Sequence, residues 1–379
     1  MRILICSNVH WWNAEAAYAA AVASALEQAG HEVWVLTRPE SLNEQKLRES
    51  QLRVVTDIDL NVLRPLELVR SYFRLTRWLR KQRIELVNAH RSEGVPLLVL
   101  AKWRLKSFRL VRTRGTTRSI RGHWLDRKLH CEWTDATIAA GEVVAARLRQ
   151  AVPIPEERLR VIYYPTALPE WPLPEISRDY RNEFRILPDH RVLAIVGRIR
   201  REKGHRLLLR AFALVLRELP KLTLLILYRD TNPEEPEMRA VQSEVQYLKL
   251  QEHVRFDAER EDIRALMQFA DAGVVSSIDS EVICRVAVEF FSVGTPVVAV
   301  PTGCLPEIIR DGRNGMLAWG DSPEALAEAM LRLLREDGLR RQCGDGARHD
   351  AEQRFNSARL LRETLEVYEQ ALSPVPPDP

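Results

Sequence analysis

The chain has 379 residues, 46% of them apolar and 28% charged, so it can bury a full core and is expected to split into two domains of ordinary size. Its five cysteines are odd in number, widely spaced and without a C-x-x-C pair, which argues against both a disulfide framework and a zinc site. The opening stretch MRILICSNVH has too short an apolar run for a signal-peptide core, and no later segment approaches the ~20 apolar residues of a membrane span. We therefore expect a cytosolic protein that is soluble or only peripherally bound to a membrane.

The charged residues behind the net charge of +4 are unevenly distributed along the chain. From Arg64 to Lys128 the chain carries eighteen Lys and Arg against four Asp and Glu, a net +14, so the remainder carries −10. Six aromatic residues lie among these charges. Such a segment suits an anionic bilayer or a phosphorylated ligand, and its charge alone would also suit nucleic acid. The alternative interpretation is a solvated basic helix whose aromatic side chains pack inward.

Taken in chain order, short apolar strands alternate with helical patterns, which is typical of parallel α/β units. The first unit consists of the strand RILICS, the Ala-rich helix AEAAYAAAVASALEQAG and the strand HEVWVLT. Further strands of the first half are predicted at RVVT, IELVNA, FRLVRT, ATIAA and RVIYY, with helices at about 64–82, 94–105, 121–132 and 141–150.

A proline-rich stretch then interrupts the alternation, because proline disfavours both helix and central strand. We place an interdomain linker at 169–188, between domains at 1–168 and 189–355. The second half has the strands VLAIVG, LTLLIL, VRFDA, AGVVSS and PVVAV, and helices at 203–218, 234–250, 261–269, 283–293, 305–311 and 322–336. A last helix is predicted at 356–372, before a disordered tail at 373–379. The predicted fold class is α/β, with two doubly wound domains that face each other across a ligand cleft.

The stretch SEVICRVAVEFFSVGTPVVAV places polar residues at a helical spacing. Glu281, Arg285, Glu289 and Ser292 are 4, 4 and 3 residues apart, so on one helix they would share a face. The other sides of this helix are apolar, which indicates an interior helix whose polar face looks into a cleft. Carboxylates ~12 Å apart on that face could each accept hydrogen bonds from a pair of vicinal hydroxyls. The alternative is a solvent-facing stripe of i,i+4 ion pairs.

Two loops have the composition that is typical of anion-binding sites. In VGRIRREKGHR, Gly197 follows a strand, and Arg198 and Lys203 precede a helix, so two cations and free N–H groups could meet a diphosphate. In PTGCLPEIIRDGRNG, the corresponding residues are Thr302, Gly303 and the N–H groups that open a helix at Leu305. Each loop alone is also compatible with an ordinary basic or surface loop.

Together these residues resemble the retaining, nucleotide-sugar-dependent glycosyltransferases of family 4, which have the GT-B fold. The resemblance rests on GRIRREKG (family pattern G-R-x-x-x-x-K-G), on Glu281 and Glu289 as an E-x7-E pair, and on GTPVVAVPTGCLPEIIRDGRNG. It extends from about residue 192 to 355 and is looser in the first half. It implies that the helix at 356–372 returns to pack on the first domain.

The resemblance also implies roles for individual residues. Arg198 and Lys203 would hold the donor diphosphate, Glu281 would orient the donor sugar, and Glu289 would bind the ribose hydroxyls. The implied donor site comprises Gly197, Arg198, Lys203, Glu281, Arg285, Glu289, Thr302 and Gly303. His90 lines up with a family histidine near the transferred sugar, where it would join Arg198, Lys203 and Glu281 as a catalytic group. The alternative for His90 is a purely structural histidine at a strand end.

The first half departs from the family pattern. The turn after the first strand reads NVHWWNAEAA and has no glycine, so a close backbone approach of a ligand is not expected there. Trp11 and Trp12 are instead predicted to form a stacking wall on the acceptor side, where Arg114 is also expected. The family's glycine-rich loop after LTLLIL is replaced by YRDTNPEEPE, so the nucleotide base cannot be assigned.

The resemblance implies an enzyme that works without a metal or a cofactor. A diphosphate oxygen of the donor can itself accept the acceptor proton, so the protein needs to supply little acid/base chemistry. Its expected partners are a UDP-, GDP- or ADP-sugar, a lipid-linked or cell-surface glycan of lipopolysaccharide or polysaccharide type, and the anionic inner face of the cytoplasmic membrane, with no nucleic acid. A catalytically weak or inactive GT-B protein that binds nucleotides or glycans is the alternative. An epimerase or a phosphorylase on the same architecture would need groups that the sequence does not offer.

Overall fold

The computed structural model describes residues 1–61, 64–118, 120, 122–229, 235–258, 260–279 and 281–373. Of the predicted C-terminal tail, only Ser373 falls within these ranges. The chain forms two compact units, one of Met1–Pro165 with Ser357–Pro379 and the other of Thr166–Asn356. The residues at 169–188, predicted as a linker, belong to the second unit. Tyr180 explains why: it is buried, and its hydroxyl donates to Asp262 at 2.8 Å.

The first unit contains one sheet of seven parallel strands in the order β3-β2-β1-β4-β5-β6-β7. Its strands are β1 (Arg2–Cys6), β2 (Glu32–Leu36), β3 (Arg53–Val55), β4 (Leu86–Ala89), β5 (Arg109–Arg114), β6 (Ala136–Ala139) and β7 (Leu159–Val161). The central strands are buried along their length, as expected for a parallel sheet covered by helices on both faces. The strand predicted at RVIYY is shorter and ends at Val161.

The helices of the first unit are α1 (Ala14–Gln28), α2 (Leu42–Glu49), α3 (Pro65–Lys81), α4 (Val95–Leu105), α5 (Trp124–Lys128) and α6 (Glu142–Ala151). The helix predicted at 121–132 is α5 followed by a π-helical segment, Leu129–Trp133, and residue 121 lies outside the described residues. α2 was not predicted, because it is polar and buries only Asn43 and Leu47. Its capping signal was present in the sequence: Ser41 caps it by accepting from the N–H group of Glu44 at 3.0 Å.

The second unit contains six parallel strands in the order β10-β9-β8-β11-β12-β13. They are β8 (Arg191–Val196), β9 (Leu222–Tyr228), β10 (Val254–Ala258), β11 (Ala272–Val275), β12 (Val297–Ala299) and β13 (Gly315–Leu317). β13 was not predicted, since it is a three-residue edge strand. The other five strands coincide with predicted ones.

The helices of the second unit are α7 (Tyr180–Glu183), α8 (His205–Leu216), α9 (Pro236–Tyr247), α10 (Ile263–Phe269), α11 (Arg285–Ser292), α12 (Leu305–Ile308), α13 (Pro323–Arg335) and α14 (Asp337–Arg354). α8 was predicted from residue 203, but Arg201–Lys203 forms a 3₁₀ turn before it. α14 was not predicted, because its three glycines disfavour a helix. Packing overrides that preference: Gly344 lies so close to α11 that a Cβ would be 2.6 Å from the Gly294 carbonyl oxygen.

The last helix, α15 (Ser357–Leu372), packs on the first unit, as predicted. It contacts α1, and the hydroxyl of its Tyr368 accepts a hydrogen bond from the Asn88 amide in β4 at 2.7 Å. No helix in the described part of the chain has both the length and the hydropathy needed to cross a bilayer.

Candidate functional site

The predicted donor-site motifs follow three neighbouring strands of the second unit. From β8 the chain runs outward through β9 and β10, and it then returns to β11 on the other side of β8. The sheet is therefore doubly wound, and its direction of winding changes between β8 and β11. Ligands of such sheets bind outside the carboxyl ends of the strands at this point. The GRIRREKG loop follows β8, Glu281 follows β11, and Thr302 and Gly303 follow β12.

The loops after β8 and β11 are joined by hydrogen bonds to the main chain of the β8 loop. The Ser276 hydroxyl donates to the Lys203 carbonyl oxygen at 3.0 Å, and the Ile278 N–H group donates to the Glu202 carbonyl oxygen at 3.0 Å. Gly204 has a φ of +68°, and a Cβ there would overlap the Ser276 carbonyl oxygen. Only glycine fits both the backbone conformation and the close approach.

Glu281 joins all three loops. Its side chain is 7% exposed; it forms an ion pair with the Lys203 ammonium group and accepts a hydrogen bond from the Ser277 hydroxyl at 2.6 Å. Its carbonyl oxygen accepts from the Cys304 N–H group at 2.6 Å. Gly303, with a φ of +60°, allows this contact, because a Cβ there would overlap the same carbonyl oxygen. The network fixes Glu281 at the centre of the site.

Arg198 and Lys203, the two cations of the GRIRREKG loop predicted to bind the donor, differ in their surroundings. Burial lowers the pKa of Lys203, but the charge of Glu281 and its hydrogen bond outweigh that effect, and the pKa is raised. Arg198 is exposed, and its charge also acts on Lys203. Its guanidinium makes no hydrogen bond or ion pair with the described part of the chain. Ile199, which is fully buried, anchors the loop beside it. The main chain at Arg198 is thus anchored by its neighbour, while its exposed guanidinium is available to an anion.

The structure corrects the placement of Glu281 on a helix. α11 begins at Arg285, with Cys284 as its N-cap, so Glu281 precedes the helix and does not share a face with Glu289. Glu289 instead accepts from Arg285 at 3.0 Å, both side chains being about two-thirds buried. The alternative interpretation, an i,i+4 ion pair, is therefore right for this pair. Ser292 is buried and donates to the Glu289 carbonyl oxygen, so it does not extend the polar face.

Two N–H groups expected as anion donors after β12 make hydrogen bonds within the chain, and the donor-site roles of Thr302 and Gly303 remain predictions. The N–H group of Leu305 donates to the Thr302 carbonyl oxygen at 3.1 Å, and that of Cys304 is used by Glu281. α12 has only four residues, too few for a substantial helix dipole. Gly303 contributes by letting the loop approach Glu281.

Sequence reasoning missed two residues of this site. Ser277 holds the Glu281 carboxylate, and the available signal was a polar residue directly after a buried strand. His205, the first residue of α8, is 1% exposed, and burial, followed by the charge of Lys203, lowers its pKa to about 4. Its ring nitrogens have no hydrogen-bond partner among the described residues. His205 is therefore a neutral imidazole directly behind the Lys203 loop.

The remaining predicted residues lie in the first unit. His90 follows β4 and is 3% exposed, and burial lowers its pKa to about 3, so it is a neutral hydrogen-bonding group. Its Nε2 has no partner within the described ranges. Trp11 is 72% exposed in the segment between β1 and α1, and Trp12 beside it is partly buried. Arg114 ends β5 and donates to the Arg118 carbonyl oxygen. The acceptor roles of these residues remain predictions.

The chain matches two family models, which together cover most of its length. The model described as Glycosyltransferase Family 4 matches residues 16–166, and the one described as Glycosyl transferases group 1 matches residues 177–350. A curated relative, the D-inositol 3-phosphate glycosyltransferase of Corynebacterium kroppenstedtii, is 35% identical over 185 residues, which are 48% of this chain and 41% of that protein. The matched region thus spans less than half of that relative.

Solved structures resemble the whole chain. A glycosyltransferase from Rickettsia africae has a TM-score of 0.87 at 19% identity, with 99% of each chain covered. The Anabaena protein HepE, solved with UDP and also with UDP-glucose, has a TM-score of 0.84 at 19% identity in its UDP complex, with 97% of this chain and 100% of HepE covered. At this identity the likeness shows the fold, and the predicted GT-B fold class is confirmed.

Proposed function

Since the chain belongs to glycosyltransferase family 4, we propose that it is a retaining glycosyltransferase that moves a hexosyl group from a nucleotide-sugar donor to a glycan acceptor. The observation that carries the proposal is the convergence of three strand-end loops on Glu281, with Lys203 paired to it and Arg198 exposed beside it. HepE binds UDP and UDP-glucose, so UDP-sugars are the first donors to test.

The ion pair of Lys203 with Glu281 is compatible with donor binding. A lysine ammonium group has three N–H donors, so the bond to Glu281 leaves two for a diphosphate. Arg198 would add a planar, bidentate contact to the same phosphates. Glu281 receives both of its side-chain hydrogen bonds on Oε1, and its second oxygen would accept from a hydroxyl of the donor sugar. Glu289, whose side chain on α11 is 27% exposed, would accept from the ribose hydroxyls.

In the proposed reaction the bond between the sugar and the diphosphate breaks while the acceptor oxygen attacks from the same face. A diphosphate oxygen takes the acceptor proton, so the protein needs no general base of its own. Lys203 and Arg198 stabilise the negative charge that develops on the leaving nucleoside diphosphate, and with two such cations in place no metal ion is needed. His90, as a neutral imidazole, would hydrogen-bond a hydroxyl of the transferred sugar or of the acceptor.

We propose a lipid-linked or cell-surface glycan as the acceptor, reached at the inner face of the cytoplasmic membrane. α3 supports this location, because it exposes apolar and basic side chains side by side. Leu66, Val69 and Phe73 are 64%, 51% and 64% exposed. The exposed basic residues of the helix are Arg70, Arg74, Arg77, Arg80 and Lys81. A surface of this kind can insert apolar groups between anionic headgroups.

The test is to incubate the purified chain with a panel of UDP-, GDP- and ADP-sugars, with and without EDTA. We expect donor hydrolysis or transfer that EDTA does not reduce and that Lys203→Ala abolishes. The anomeric configuration of the released sugar, read by NMR, tests retention. Asp189→Asn, in an exposed ion pair with Lys221, is the matched control and should keep full activity. Binding of a nucleotide sugar without turnover would instead support a non-catalytic nucleotide-binding protein.

A further inference from the structure

Arg112 is a buried guanidinium that lacks a carboxylate partner. It lies in β5 and is 4% exposed. Its Nη1 is 3.3 Å from His130 Nε2, and its Nη2 donates to the Ser92 hydroxyl at 3.2 Å. In the described part of the chain, no Asp or Glu forms an ion pair with it. Because a buried charge is normally paired, this arrangement is costly for the unliganded protein.

Elsewhere the chain does pair its buried arginines. The side chain of Arg260 in the second unit is 12% exposed and contacts Glu183 at 2.7 Å and Asp262 at 2.6 Å. Arg354 is 15% exposed and contacts Asp350 at 3.1 Å. Arg112 departs from this pattern, which indicates that its counter-charge comes from a ligand.

The surroundings of Arg112 add positive charge. Arg114 lies two residues further along β5, hence on the same face of the sheet, and has no ion pair among the described residues. Glu15, whose charge acts on Arg114, is paired at 2.5 Å with another arginine, Arg91. Asp126 acts on both Arg112 and Arg114 but forms no ion pair with either in the described ranges.

Neither of the two hydrogen-bonding groups beside Arg112 supplies a negative charge. Burial, together with the charges of Arg112 and Arg114, lowers the pKa of His130 to about 3, so its imidazole is neutral at physiological pH. Ser92 contributes only a hydroxyl group. Burial also lowers the pKa of Arg112 to about 10, as expected for a cation without full compensation.

The cluster lies at the edge of the sheet where ligands of doubly wound folds bind. In the register of β4 and β5, Arg112 is opposite Ala89, the residue before His90. The loop after β4 carries both His90 and Ser92. An anion held by Arg112 would therefore lie close in the structure to the histidine expected near the transferred sugar.

We propose that Arg112 and Arg114 bind a phosphate group of the acceptor, with Ser92 and His130 as neutral hydrogen-bonding neighbours. The proposal rests on the proposed glycosyltransferase function and narrows its acceptor to a phosphate ester. A guanidinium has five N–H donors in a planar fork that matches a phosphate, and Arg112 makes two hydrogen bonds with the residues that the structure describes. A soluble sugar phosphate and the phosphate of a lipid share this chemistry.

The experiment measures binding to the whole chain by calorimetry, in parallel with UDP binding. The soluble arm compares glucose 6-phosphate with glucose, and the lipid arm compares vesicles of phosphatidylcholine with and without phosphatidic acid. The variants are Arg112→Lys, Arg112→Met and Arg114→Met. The control is Arg109→Met at the other end of β5, where Lys102 keeps Asp135 paired at 2.6 Å.

We expect the wild type to prefer the phosphate-bearing ligand in at least one arm. This preference should fall about 10- to 100-fold in Arg112→Met and Arg114→Met, which is the loss expected for charge-assisted hydrogen bonds. It should be unchanged in Arg109→Met. Loss in the soluble arm identifies a sugar phosphate, and loss in the vesicle arm alone identifies a lipid phosphate. If Arg112→Met does not fold, the phosphate binding of Arg112→Lys and Arg114→Met tests the proposal. The subsite is wrong if the wild type has no phosphate preference, or if these variants keep it. Failure to bind or turn over any UDP-, GDP- or ADP-sugar of the panel would refute the proposed function without bearing on phosphate binding.

Discussion

Replacing Glu281 by Gln tests whether the Lys203–Glu281 pair organises the second unit. Gln has nearly the same size as Glu and can keep the hydrogen bond from Ser277 through its carbonyl oxygen, but it removes the charge opposite Lys203. Removal of one partner from a fully buried ion pair costs about 3–5 kcal/mol. Lys203 is 31% exposed and can turn towards water, so we expect a loss of about 1–3 kcal/mol of unfolding free energy. For a unit of this size that is a fall in Tm of roughly 2–4 °C per kcal/mol.

The pH dependence of this loss follows from the raised pKa of Lys203. A cation whose pKa is higher in the folded state contributes its stability fully below the ordinary lysine pKa of 10.5 and loses it as the pH rises through the folded value. The difference in stability between wild type and Glu281→Gln should therefore be constant at neutral pH. It should shrink as the pH rises above about 10.5, where unfolded wild type releases the Lys203 proton that the folded protein still holds.

Thermal and urea unfolding, followed by circular dichroism from pH 6 to 11, measure the effect. The control is Asp189→Asn in the exposed pair with Lys221, whose side chains are 53% and 68% exposed; we expect it to change stability by less than about 1 kcal/mol. Equal stability of Glu281→Gln and Asp189→Asn at pH 7 would refute the reasoning. A stability difference that does not change across the alkaline range would refute the part assigned to Lys203.

Three other variants probe separate parts of the site. Glu289→Ala should lower kcat/KM for donor hydrolysis about 100-fold or more, because the contacts with the ribose are lost. The free energy of unfolding should change by only a few tenths of a kcal/mol, because the i,i+4 pair of Glu289 is weak. A near wild-type rate would contradict the assignment. Gly303→Ala should destabilise the chain by roughly 3 kcal/mol or more, since its Cβ would overlap a carbonyl oxygen. The control Gly312→Ala, at a similar φ of +72° but with open space around the Cβ, should cost about 1 kcal/mol. Equal melting temperatures of the two variants would count against a special role for Gly303. Arg70→Glu with Arg74→Glu should abolish salt-sensitive sedimentation with vesicles containing anionic lipid, and unchanged sedimentation would show that α3 is not the contact.

The two sheets could be predicted because parallel strands are buried on both faces and appear as short apolar runs between helices. Of the thirteen strands in the described part of the chain, twelve coincide with predicted ones. The elements that were missed are stabilised by features other than apolar periodicity. α2 depends on a cap at Ser41, β13 is a short edge strand, and α14 contains glycines that let it approach the chain after α11. Such close contacts between distant segments cannot be deduced from local sequence preferences.

The structure brings Lys203, Glu281 and Gly303 of the predicted donor site together, but the geometry differs from the predicted one. Spacing placed Glu281 and Glu289 on one helix, whereas Glu281 lies in the loop before α11. Glu281 is instead used in contacts with the loops after β8 and β12, which are far away in sequence: it pairs with Lys203, and its carbonyl oxygen accepts from the Cys304 N–H group. The same reason explains why Ser277 was missed: its role depends on where Glu281 lies.

The two carboxylates of the E-x7-E pair are therefore unequal partners for a ligand. Glu281 is buried and bound to three loops, so a donor must add to an existing network and cannot displace it. Glu289 is held by one arginine on its own helix, and release of such a pair costs only a few tenths of a kcal/mol. We infer that the sugar and phosphate end of the donor site is preorganised, which favours charge stabilisation during transfer. Recognition of the ribose by Glu289 can instead adjust when the donor binds.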